Sequence, residues 1–110
     1  MTEAVVLLGC GDVGPIHEPV GHYSELVRET LQTADIRFAQ VERVYYERGK
    51  LQPHGGAHGR LPPHMASLIT DCGFNVVSLA GNHAMDWGAE PLLDTIELLR
   101  GMGIQTIGAG

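Results

Sequence analysis

Four short apolar runs, at residues 4–10, 36–41, 75–80 and 104–107, are separated by longer segments that are polar or patterned like helices. Runs of this length, bounded by turn residues, read as strands. The first, residues 4–10, is continuously apolar rather than alternating, which predicts a strand buried on both faces, as in parallel sheets, and residues 75–80 read as a third buried strand. Between the first two, Ser24 would cap a segment with Leu26, Val27, Leu31 and Ala34 on one stripe. Between the next two, Pro63 suits a first helical turn, and Met65, Leu68, Ile69 and Cys72 share a face before Gly73 stops it. Pro91 opens a third helix carrying Leu92, Leu93, Ile96 and Leu99, ended by Gly101 or Gly103. Strands alternating with helices give an α/β fold, a mainly parallel sheet with helices on both faces.

A length of 110 residues with 44% hydrophobic side chains supports one domain and one core. The formal charge of −6 gives no electrostatic footprint for nucleic acid or for an anionic membrane. No stretch reaches the roughly 20 apolar residues of a membrane span. Residues 4–8 are too few for a signal-peptide core, and Glu3 precedes them, so the chain reads as cytoplasmic. Cys10 and Cys72, each beside an apolar element, are expected to be buried thiols, with a disulfide as the alternative.

In open parallel sheets, ligands sit outside the carboxyl ends of the strands. Here those ends carry Asp12, Glu42 and the pair Asn82-His83. Gly11-Asp12 alone is an ordinary strand-to-loop turn. Glu42 closing a second strand at the same edge is more telling, because two carboxylates brought close repel unless a cation or proton lies between them. Asn82 adds a neutral amide oxygen suited to a divalent ion already neutralised by carboxylates. His83 could act as a ligand, a general acid or an oxyanion donor. Asp86 could fix the tautomer of His83 or cap the helix near Pro91.

The run Gly81-Asn82-His83 matches the signature of calcineurin-like metallophosphatases. The longer stretch from Val76 to Gly88, with Asp86 and Gly88 following the Asn-His pair, resembles the CapA-like (poly-γ-glutamate capsule type) branch. A helix and a strand ending in Gly108-Ala109-Gly110 follow, as they do there. Leu8 to Val13 is similar to that family's opening Gly-Asp, and Ala39 to Glu42 to its second motif, with Gln40 standing where the family has Asn. The resemblance implies the N-terminal half of a metallophosphatase-type αββα sandwich. It also implies a centre of two divalent ions (Mn, Zn or Fe), with Asp12 on one, Glu42 bridging and Asn82 on the other. His83 would stabilise charge or protonate the leaving group, with Asp86 a further catalytic candidate if it fixes the His83 tautomer. The family's remaining histidine ligands lie beyond position 110, so a C-terminal fragment or another subunit is the expected partner.

His54 and His58 lie in the Gly-rich stretch at residues 52–59; they read as a solvated loop, with a second metal site or a grip on a small or acidic, peptide-like substrate as the alternatives. Tyr45 and Tyr46 are expected to pack. The leading functional expectation is a metal-dependent hydrolase of a phosphoester or amide bond. Its rival is a non-catalytic binding or assembly module that keeps the fold. Gly9 to Gly14 has the spacing of a nucleotide-binding turn, but Pro15 and Pro19 interrupt the helix such a turn requires.

Overall fold

The structure is a computed structural model, and it describes residues 3–55 and 59–109. Four strands, β1 (Leu7–Val13), β2 (Ile36–Val41), β3 (Val76–Ser78) and β4 (Gln105–Ile107), form one sheet in the order β1-β2-β3-β4. Every neighbouring pair is parallel. The helices are α1 (Arg28–Leu31), α2 (Ser67–Cys72) and α3 (Ala89–Gly101), with 3₁₀ turns at Val20–Tyr23 and Pro63–Ala66. The α/β class with a parallel sheet is thus the observed one.

Side chains on one row of the sheet are sealed: Ala39, Val41, Val77 and Leu79 are at most 2% exposed. They pack with Leu68, Ile69 and Cys72 of α2 and Leu92, Ile96 and Leu99 of α3. The alternate row is far more open, with Leu7 60% and Ile107 53% exposed. Successive side chains on a strand point to opposite faces, so the helices described here cover one face. A sheet with one helical layer and one bare face has the asymmetry of half an αββα sandwich.

Local signals explain the ends of the helices. Gly73 takes φ +78° after α2, and its N–H closes on Thr70 O at 2.9 Å, a left-handed stop open to glycine. Gly103 plays the same part past α3 at φ +83°. Pro63 occupies the first 3₁₀ turn before α2, where no backbone N–H is needed. Val44, Tyr45 and Tyr46 do not open a full strand. They make a single parallel bridge, Tyr45 to Leu61, and both tyrosines are buried.

Two local expectations are corrected. The first strand begins at Leu7, not residue 4, and runs on through Gly11-Asp12 to Val13. It is an edge strand with β2 alone beside it, so its apolar residues and Cys10 are largely exposed rather than buried on both faces. Cys72 is buried, and both cysteines are free thiols. The stripe after Ser24 yields only four helical residues, and Leu26 is 94% exposed. Ser24 is a buried anchor instead of a cap: its Oγ donates to Gly21 O (3.0 Å) and accepts from Arg28 Nη2 (2.7 Å). Arg28 also reaches Asp71 O at 3.0 Å, so polar bonds to α2 hold this segment in place of an apolar stripe.

Candidate functional site

Register decides which residues meet. Asp12 lies opposite Gln40, Gln40 opposite Ser78, and Ser78 opposite Ile107. Glu42 follows Gln40 by two residues and Asn82 follows Ser78 by four, so Asp12, Glu42 and Asn82 all leave the carboxyl edge of adjacent strands. Neighbouring strands lie about 4.8 Å apart, which puts β1 and β3 roughly 10 Å from one another with β2 between. An acid on the middle strand is therefore the one within reach of both sides.

Glycines at this edge make room for side chains. A Cβ on Gly14 would stand 3.1 Å from Glu42 Oε2, and a Cβ on Gly81 would stand 2.7 Å from Gln40 Nε2. Gly14 thus leaves a carboxylate oxygen accessible where a larger residue would fill the space. Glu42 N donates to Val13 O at 3.2 Å, tying the acid to the end of β1. Its Oε2 lies 3.8 Å from Arg43 Nε. A bulge between Gly9 and Asp12 shifts the β1 register just before the acid. Bulges re-aim side chains, and Asp12 is exposed at the rim of a largely apolar cavity of about 370 Å³.

The most completely built pair is His83 and Asp86. His83 Nδ1 lies 2.8 Å from Asp86 Oδ2, and Asp86 is only 3% exposed. An ionised carboxylate only accepts, so Nδ1 carries the proton. Asp86 is held from both sides: its N–H donates to His83 O (3.2 Å), and its carbonyl accepts from Gln52 N (2.7 Å). It does not cap α3, whose N-cap is Gly88 at φ +90°. Asn82 Nδ2 approaches His83 Nε2 at 3.4 Å, which turns the amide oxygen the other way.

His54 is exposed in the turn after Gln52 and is not among the residues lining the cavities of about 480, 370 and 230 Å³. His58 lies outside the described residues. Two residues that sequence reasoning passed over are Arg43 and Arg60, which face one cleft. Their signal was faint: an arginine directly after the candidate bridging acid, and another at the end of the glycine-rich stretch.

Asp12, Glu42 and Asn82 offer two carboxylates and an amide oxygen, a set suited to a divalent ion. Among the described residues no three His, Cys, Asp or Glu side chains are grouped closely enough to hold a metal by themselves. Two ions each need about four to six ligands, so these residues fit part of such a centre. Among the described residues, no helix is long and apolar enough to cross a membrane.

A parallel α/β half-sandwich with acid, acid and amide-imidazole at three successive strand ends defines the class: a metallophosphatase-like half-fold. More particularly, the bacterial capsule synthesis protein family (PGA_cap) matches residues 16–110, and the chain belongs to that family. The matched span includes Glu42, Asn82, His83 and Asp86 and begins after Asp12. The chain is 33% identical over 93 residues to an uncharacterized protein, y4sH, of Sinorhizobium fredii, covering 80% of this chain and 20% of that one. It is 37% identical over 82 residues to a probable polyglutamine synthesis accessory protein of Mycobacterium tuberculosis, covering 74% and 18%. It is 26% identical over 106 residues to the PGA biosynthesis protein CapA of Bacillus subtilis, covering 83% and 28%. The chain therefore spans between 18% and 28% of the length of these curated relatives.

Proposed function

We propose that this chain supplies one side of a metal-dependent hydrolase centre, acting on a phosphoester or amide bond, in a protein of the capsule synthesis family. The observation that carries the reading is the arrival of Asp12, Glu42 and Asn82 on one sheet edge, beside a histidine oriented by a buried aspartate. Asp12, Glu42 and Asn82 would hold two divalent ions, with further ligands from outside these residues. Such ions, when bound, supply an activated water and polarise the bond it attacks. The task of His83 is separate. With Nδ1–H committed to Asp86, Nε2 of the neutral ring accepts, and only the doubly protonated ring can give a proton from Nε2 to a leaving group or a hydrogen bond to a developing oxyanion.

A non-catalytic assembly role has one point in its favour, the word "accessory" in the printed name of the Mycobacterium tuberculosis relative. The His83–Asp86 pair weighs against it. Burying a carboxylate is costly unless it is paired, and a scaffold has no need of that arrangement at a sheet edge.

Metal content and turnover, measured on the full-length protein, separate these readings. Asp12→Ala and Glu42→Ala should strip metal, whereas His83→Ala should retain it and lose about 10²–10⁴ in rate. Metal-free wild-type protein with no hydrolytic activity would favour the assembly role. Loss of metal in His83→Ala would make His83 a ligand.

A further inference from the structure

The turn that carries His83 and Asp86 is gripped by a segment far earlier in the chain. Gln52 N donates to the Asp86 carbonyl at 2.7 Å, and Gly55 N donates to Gln52 O at 2.8 Å, so a tight turn sits on that carbonyl. Gly55 is buried there, and a Cβ on it would stand 2.8 Å from Asp86 O, closer than a carbon and a carbonyl oxygen tolerate. The obstacle is backbone, which cannot swing aside as the tip of a side chain can. Gly55 is not among the glycines with positive φ, so it is needed for space and not for conformation. A second grip falls one residue on. The Arg60 guanidinium lies over the Trp87 ring, 4.5 Å from its centroid, and Arg60 Nη1 donates to Gly49 O at 3.2 Å. The peptide between Asp86 and Trp87 is thus held at its carbonyl by Gln52 and at the following side chain by Arg60.

From these contacts we infer that Gly55 is a positioning residue for His83: by leaving space for the Asp86 carbonyl it sets the buried carboxylate against the imidazole. Arg60 on Trp87 is a second restraint on the same turn. The Asp86 carboxylate and carbonyl belong to one residue, and its Oδ2 meets His83 Nδ1 at 2.8 Å. Hydrogen bonds weaken steeply with angle and distance, so displacing the Asp86 backbone loosens the bond that orients the ring. The inference rests on the hydrolase reading only for the use to which the oriented ring is put. The orientation itself needs neither substrate nor metal.

The test is the tautomer of His83 in the full-length protein without substrate, read from long-range ¹H–¹⁵N correlations after histidine labelling and assigned by the signals lost in His83→Gln. Gly55→Ala should lower the ratio of Nδ1–H to Nε2–H by about fivefold or more, as a strained bond to the carboxylate gives up its preference. Arg60→Gln should lower the ratio by less, since the carbonyl contact stays, and Arg60→Lys should restore part of it by keeping a cation over the ring. Gly59→Ala, in open space among the described residues, should leave it unchanged. Ile69→Val, in the core of α2, should lower the thermal midpoint with no change of tautomer, which separates positioning from general loosening. If Gly55→Ala fails to fold, the shift in Arg60→Gln, present or absent, decides. A ring unchanged in Gly55→Ala, or shifted as far by Ile69→Val, overturns the inference. A ring that shifts in Gly55→Ala, while the native protein hydrolyses neither phosphoester nor amide, supports the positioning and counts against the hydrolase reading alone.

Discussion

Replacing Asp86 by Asn tests whether the buried carboxylate sets the state of His83. In the native pair the bond is 2.8 Å, and the two side chains are only 19% and 4% exposed, so water screens it little. A hydrogen bond to a charged partner in such a place is worth about 2 kcal/mol, which favours the Nδ1–H form of the neutral ring by roughly thirty to one. Asparagine keeps the shape but removes the charge. Its oxygen could still accept from Nδ1–H, yet at about 1 kcal/mol the preference falls to roughly five to one. Its amide nitrogen could equally donate to an unprotonated Nδ1, which erodes the preference further. Long-range ¹H–¹⁵N correlation spectra of the imidazole report the protonated nitrogen directly and need no substrate. The expected result is a nearly pure Nδ1–H ring in the native protein and a mixed population in Asp86→Asn. Turnover should fall with it, by up to about 10⁴ where a histidine is left in the wrong tautomer, while metal content holds. A native ring protonated at Nε2, or a population indifferent to Asp86→Asn, would refute the reasoning.

Other outcomes follow from packing. The hydroxyl of Tyr45 is buried with no hydrogen-bond partner among the described residues, so Tyr45→Phe should leave stability equal or raise it by up to about 1 kcal/mol in denaturant unfolding. Gly108 has φ +92°, and a Cβ there would lie 2.7 Å from that of Ala80, so Gly108→Ala should destabilise by more than about 1 kcal/mol and disturb the Gly81-Asn82 turn. Exposed Cys10 should react quickly with a thiol reagent and Cys72 slowly, because burial holds the Cys72 thiol above its ordinary pKa. The folded chain keeps a proton there that the unfolded chain releases, so the Cys72 contribution to stability should persist at neutral pH and decline above the ordinary thiol range, read as a falling thermal midpoint.

The alternation of short apolar-rich runs with helical stripes was enough to establish a parallel α/β fold, because a segment as short as Ile36–Val41, with Ile36, Phe38, Ala39 and Val41 to bury, is better suited to a strand than to a helix. Gly73, Pro63 and Gly103 likewise acted through local backbone geometry, which a sequence displays openly. The positions of Asp12 near the end of the first strand and of Glu42 and Asn82 after the next two followed from the same pattern. What pattern could not supply was anything that depends on neighbours distant in the chain. That β1 is an exposed edge, that Cys10 faces solvent and that Leu26 finds no core all follow from strand order and from which face the helices cover. The choice of Asp86 between His83 and the α3 cap was open in the sequence. It was decided by Gln52, whose backbone N–H holds the Asp86 carbonyl from 34 positions earlier in the numbering. The meeting of Arg43 with Arg60 came from the Tyr45–Leu61 bridge, which folds the loop between them back on itself. Local periodicity encodes how each segment buries its own apolar side, whereas partners across a loop are set only once the chain has closed.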